Sequence, residues 1–138
     1  GVDADLWGCP SFTELAREGN AVSRSNMLHP GDKSKVSHVE LCLGGTEGPV
    51  VAATDYIRAY AEQIRAFVPR RYTVLGTDGF GRSDTREKLR HFFEVDRHWV
   101  VLAALKALAD EGKMPASRAA EAMKKYGLSA DKPAPWTV

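Results

Sequence analysis

The segment Val74-Leu75-Gly76-Thr77-Asp78-Gly79-Phe80-Gly81-Arg82-Ser83-Asp84-Thr85-Arg86-Glu87 constrains the fold of this chain more than any other. A short apolar run ends at a glycine, a loop with two further glycines follows, and the chain then enters a helix with a polar start. Strand, tight loop and helix in that order is the repeating unit of α/β proteins, and its loop is where such proteins place their working residues.

The rest of the chain fits the same alternation. Val2 to Trp7 reads as a short strand ended by Gly8 and Pro10, and Ser11-Phe12-Thr13-Glu14 reads as a capping box. The helix from Phe12 is expected to break near Gly19, with a second helical stretch reaching Leu28. From His29 to Pro49 the composition turns polar and rich in glycine, which predicts a long loop with at most an irregular strand over Val36 to Leu43. Val50 to Thr54 lacks polar alternation, as a strand of a parallel sheet does. Asp55 is placed to cap a helix from Tyr56 to Val68, with Arg58 and Glu62 paired on its outer face and Pro69 as its stop. Tyr72 to Gly76 is the third strand. Asp84 and Glu87 suggest a second capping box for a helix over Thr85 to Phe93. Asp96 caps a helix from Arg97 to Glu111 that Gly112 closes. A last helix begins at Pro115 and ends at Gly127, and residues 132–138 form a proline-containing tail.

Three strands alternating with helices imply parallel pairing in an α/β fold with three layers, α/β/α. The helix from Arg97 to Glu111 carries Trp99, Val100, Leu102, Ala103, Leu105, Ala107 and Leu108 around most of its circumference. Such a helix must be covered on most sides, by the sheet and by another subunit or domain. The chain opens on Gly1 rather than methionine and enters a strand-like segment at once, which reads as an internal position of a longer polypeptide.

With 138 residues and 43% hydrophobic side chains, one domain with its own core is the expectation. Nineteen basic and 18 acidic side chains give a net charge of +1, so electrostatics supplies no reason to expect nucleic acid or a membrane surface as partner. The longest apolar run, Trp99 to Leu105, stops at Lys106, well short of the roughly 20 residues a membrane helix needs. Cys9 and Cys42 lie far apart, with no CxxC and no histidine at ligand spacing. Free thiols in a reducing cytosol are expected.

Read locally, the chain offers no convincing catalytic or metal-binding set. The loop Thr77, Asp78, Gly79, Phe80, Gly81, Arg82 and Ser83 is the candidate site, as an interface element or an anion cradle formed by free amides before the next helix. Its glycine spacing fails GxGxxG, and no P-loop lysine follows. A turn that needs glycine for its shape is the simpler reading. His91 with Glu94, and Asp96 with His98, read as helix-end pairings rather than acid–base chemistry. Arg82, Arg86, Lys88, Arg90 and Arg97 gather near the loop but alternate with acids, as a solvated or interface face does.

Leu75-Gly-Thr-Asp-Gly-Phe-Gly-Arg-Ser-Asp84, followed by Arg86-Glu87, Leu89-Arg90 and Phe93-Glu94-Val95-Asp96, closely resembles the homodimeric-type bacterial pyruvate dehydrogenase decarboxylase component. Ser11 to Arg17, Asn26 to Pro30 and Ala53 to Tyr56 match that family in order and spacing. Only Asp78, Phe80-Gly81 and Ser83 are shared with the wider transketolase superfamily. The resemblance implies a C-terminal domain with a mixed five-stranded sheet, its first two strands lying before Gly1. It implies a homodimer that binds thiamine diphosphate and magnesium in domains upstream of this chain, and that serves a dihydrolipoyl acetyltransferase core in the bacterial cytoplasm. No catalytic, cofactor-binding or metal-binding residue is carried over. The segment from Gly31 to Gly48 departs most from the family. The competing readings are a regulatory anion- or nucleotide-binding α/β module, and the equivalent domain of a transketolase or related 2-oxo acid decarboxylase.

Overall fold

A computed structural model describes residues 2–138. In chain order its elements are α1 (Phe12–Leu28), α2 (His38–Leu43), β1 (Val50–Ala53), α3 (Arg58–Glu62), β2 (Tyr72–Leu75), α4 (Arg86–Phe92), α5 (Arg97–Asp110) and α6 (Ser117–Tyr126). Single 3-10 turns lie at Arg65–Phe67 and Pro135–Thr137.

β1 and β2 pair in parallel, Val50 opposite Tyr72 and Ala53 opposite Leu75. Alternation sends Val50, Ala52, Tyr72 and Val74 to one face. There they pack with Ala16 of α1, Val39 of α2, Ala61 of α3, and Ile64, Phe67 and Val68. α5 crosses the opposite face and carries α6 on its flank. The layers are therefore α/β/α, as the alternation of elements implies. Among the described residues no helix is long and apolar enough to cross a membrane.

Several expectations change. Val2 to Trp7 joins no sheet, and Leu6 is 98% exposed. A strand is stable only through a ladder partner, and none flanks this segment among the described residues. The sheet consequently has two described strands rather than the three expected within this chain.

α1 runs straight through Gly19. A Cβ there would stand 2.6 Å from the Phe67 ring, so the glycine admits that ring rather than ending the helix. The Ser11 hydroxyl caps α1 by accepting from the Glu14 amide, but the Glu14 carboxylate turns to Arg17 instead of closing the box. The predicted irregular strand around Val36 to Leu43 is instead α2. Its start is a complete capping box, with the Ser37 hydroxyl accepting from the Glu40 amide and the Glu40 carboxylate accepting from the Ser37 amide.

The helix expected from Tyr56 to Val68 splits into α3 and the turn at Arg65–Phe67. Asp55 does not cap it; the position before α3 is Ile57, which has no side-chain acceptor. Arg58 and Glu62 do not pair either: Arg58 binds Asp78, and Glu62 binds Arg65. At α4 the cap is Thr85, one residue later than expected, because its hydroxyl accepts from the Lys88 amide.

α5 begins as read. Asp96 accepts from the amides of His98 and Trp99 at 2.8 and 3.1 Å. α5 and α6 end at Gly112 and Gly127, with φ of 70° and 64°. α4 ends in the same way on Glu94, φ 63°, the only described non-glycine residue with positive φ. The Val95 amide reaches back to the Arg90 carbonyl at 2.9 Å, a six-residue closure typical of left-handed helix ends.

Candidate functional site

The glycine loop leaves β2 at the C-terminal end of the parallel strands, where open α/β sheets place their ligands. Its first residues are tied to the neighbouring β1–α3 connection. The Thr77 amide donates to the Tyr56 carbonyl at 2.9 Å, and the Thr77 hydroxyl donates to the Asp55 carbonyl at 3.1 Å. Asp78 then reaches across to α3: its carboxylate accepts the Arg58 amide at 2.9 Å and the Arg58 guanidinium at 2.5 Å. Burial pushes the Asp78 carboxyl pKa upward, but the bonds and charge of Arg58 outweigh it and hold the pKa below its ordinary value. The side chain that caps α3 thus comes from a distant loop.

Gly79 (φ 107°) meets the tail. A Cβ there would lie 2.9 Å from both the Pro135 carbonyl oxygen and the Trp136 Cα. Here both the backbone conformation and the close approach require glycine. Trp136 lies over Arg58, with the guanidinium carbon 4.5 Å from the ring centre.

The far half of the loop faces water. Phe80 is 85% exposed, and Gly81 and Ser83 are exposed. Arg82 stacks its guanidinium 4.2 Å from the Phe92 ring centre. Of the seven candidate residues, the fold draws Thr77, Asp78 and Gly79 into one constellation with Arg58 and Trp136. It leaves Phe80, Gly81 and Ser83 on the rim.

Some of the surrounding basic residues face acids. Arg86 and Arg90 share Asp55 and Lys88 lies 3.7 Å from Asp84, whereas Arg97 donates to the His98 ring at 3.3 Å.

The histidines are distributed among structural contacts. His91 pairs with Asp96 at 3.0 Å rather than with Glu94, whose carboxylate accepts from Lys132 at 2.8 Å. Burial acts to raise the Asp96 carboxyl pKa; the Trp99 amide, His91 and the His98 amide outweigh it and leave it lowered. His98 stacks on Tyr126 with ring centres 4.5 Å apart. His38 sits 3.4 Å from the Cys42 sulfur. That contact escapes a reading of the segment as loop, and only an i, i+4 spacing on a helix signals it. Both cysteines are free.

Residues 1–96 match the transketolase-like C-terminal domain family. The pyruvate dehydrogenase E1 component of Cupriavidus necator is 69% identical over 138 residues, covering 100% of this chain and 15% of that protein. Its counterpart in Pseudomonas aeruginosa is 64% identical over 133 residues, and that of Escherichia coli K12 is 49% identical over 133; each match covers 96% of this chain and 15% of the relative. The chain thus spans about 15% of the length of these relatives. With that match extending over more than half of its residues, the chain belongs to the transketolase-like C-terminal domain family.

Proposed function

We propose that this chain is the non-catalytic, dimer-supporting C-terminal domain of a pyruvate dehydrogenase decarboxylase component. The observation that carries the reading is its identity, over essentially its whole length, to proteins named pyruvate dehydrogenase E1 component. The whole enzyme would decarboxylate pyruvate in the bacterial cytoplasm and reductively acetylate the lipoyl group of a dihydrolipoyl acetyltransferase.

The exposure pattern of α5 supports this role. Ala107 is its only fully buried residue, although the helix is apolar around most of its circumference, and Val101 is 37% exposed. An apolar surface left partly open on one chain is stabilised by a neighbouring polypeptide. A homodimer contact of this kind would matter for catalysis, because a cofactor site shared between subunits exists only while they remain associated.

Thiamine diphosphate with magnesium supplies the chemistry of decarboxylation in this reading, through the thiazolium carbanion. The ion requires converging oxygen donors. Among the described residues no three His, Cys, Asp or Glu side chains converge on one point. This reading assigns the cofactor to the remainder of the polypeptide.

Two measurements test the proposal. In the full-length protein, Val101→Asp is expected to weaken dimerisation at least about tenfold, read by analytical ultracentrifugation, since it sets an unpaired charge in an apolar contact. Unchanged sedimentation would remove the supporting role of α5. Turnover of pyruvate rather than sugar phosphates by the full-length protein separates this reading from a transketolase.

A further inference from the structure

The chain's last residues cross the glycine loop without joining any main-chain ladder. Among the described residues, the sole backbone hydrogen bond of Ala134–Val138 is internal, from the Thr137 amide to the Ala134 carbonyl at 2.9 Å. The segment is held by side chains at two points. Upstream, the half-buried Lys132 ammonium donates to the Phe92 carbonyl and to the Glu94 carboxylate, both at 2.8 Å. Downstream, the half-exposed Trp136 stacks on Arg58, and Pro135 is buried beside Gly79.

The upstream anchor has a second peculiarity. Glu94 occupies the left-handed position that glycine takes at the ends of α5 and α6. A glycine would suit that turn better but would have no carboxylate for Lys132. The residue present costs backbone strain and supplies the anchor.

We propose that Ala134–Val138 is a latch over the glycine loop, closed in this structure by Trp136 on Arg58 and by Lys132 on Glu94. When closed it holds Gly79 and covers the Arg58–Asp78 pair at the C-terminal end of β1 and β2. When open it bares the face of the Arg58 guanidinium and lets Thr77–Ser83 move. Opening breaks no ladder or helix, so its cost is confined to a few side-chain contacts. A segment held that way belongs to the low-stability end of a protein's local opening reactions. The latch acts within one chain and does not depend on the dimer-supporting reading.

Hydrogen exchange read by mass spectrometry on the full chain tests it. Trp136→Ala is expected to speed exchange of the Thr77 amide, held by the Tyr56 carbonyl, and of the Arg58 amide, held by Asp78, at least about tenfold, with α1 and α6 unchanged. Trp136→Phe, which keeps a ring over Arg58, is expected to restore slow exchange. Lys132→Gln releases the other anchor and is expected to speed the same amides. Unchanged loop exchange in Trp136→Ala, or acceleration spread equally over α1 and α6, overturns the latch. Should Trp136→Ala fail to fold, Lys132→Gln alone decides: a loop it leaves protected is not latched.

Discussion

Asp78 and Arg58 lie twenty residues apart and are joined twice, through the Arg58 backbone amide and through its guanidinium. One carboxylate therefore closes the first turn of α3 and ties the glycine loop to it. Asp78→Ala is expected to lower stability by about 1–3 kcal/mol, combining the loss of a helix cap with that of a charged hydrogen bond. Asp78→Asn, which can still accept the amide, is expected to lose less. Urea unfolding reads both, and equal losses would mean that the neutral acceptor kept by asparagine contributes nothing and the charge carries the whole effect.

The pH dependence of this contact has a definite sign. The folded-state pKa of Asp78 is lowered, so its contribution is complete above the unfolded value of about 3.9 and disappears as pH falls through the folded value. Wild-type stability is expected to drop more steeply below about pH 4 than that of Asp78→Asn. Parallel acid-unfolding curves would contradict this.

Gly19 offers a case where helix propensity and packing oppose each other. Alanine in a helix interior is favoured over glycine by about 1 kcal/mol. Its Cβ would stand 2.6 to 2.8 Å from atoms of the buried Phe67 ring, and overpacking a core costs about 1–3 kcal/mol. Gly19→Ala is expected to be destabilising by about 1 kcal/mol in thermal unfolding, and Gly19→Ala with Phe67→Leu to recover part of that loss.

Tyr72 donates its hydroxyl to the Ala61 carbonyl at 2.8 Å inside the core. Burial, then the charge of Glu62, raises its pKa far above the ordinary phenol value, so the group is a neutral donor at every working pH. Tyr72→Phe keeps the ring and orphans the carbonyl. The expected loss is about 1–2 kcal/mol in chemical denaturation, with no change in the pH profile between 5 and 9.

Asp96 divides its carboxylate between two tasks: one oxygen caps α5, and the other holds His91. Asp96→Ala is expected to cost about 1–2 kcal/mol, and Asp96→Asn less, because an amide oxygen still caps. His91→Ala leaves the cap intact and is expected to change stability by less than about 1 kcal/mol. A larger loss for His91→Ala than for Asp96→Ala would invert this assignment.

Much of this architecture was legible in the sequence. β1 and β2, the Asp96 cap, and the glycine ends of α5 and α6 were each announced by residues within one turn of the feature they control. Helix caps and left-handed ends satisfy main-chain groups a few positions away, so the residue itself carries the information. The Ser37–Glu40 box was equally local, but the prolines and glycines flanking it suggested a loop, and the His38–Cys42 contact went unseen with it. The candidate loop was recognised as a unit, whereas its division into an anchored half and an exposed half was not.

What the sequence determined by itself is the order and type of most elements, because backbone hydrogen bonding and apolar periodicity are settled over short stretches. Only the tertiary structure decided that Gly19 admits Phe67, that Asp78 serves α3, that Glu94 waits for Lys132, and that Val2 to Trp7 remains outside the sheet. Each of those depends on where a distant part of the chain returns. A side chain's chemistry states which partner it can accept, and only the packed fold brings that partner within reach.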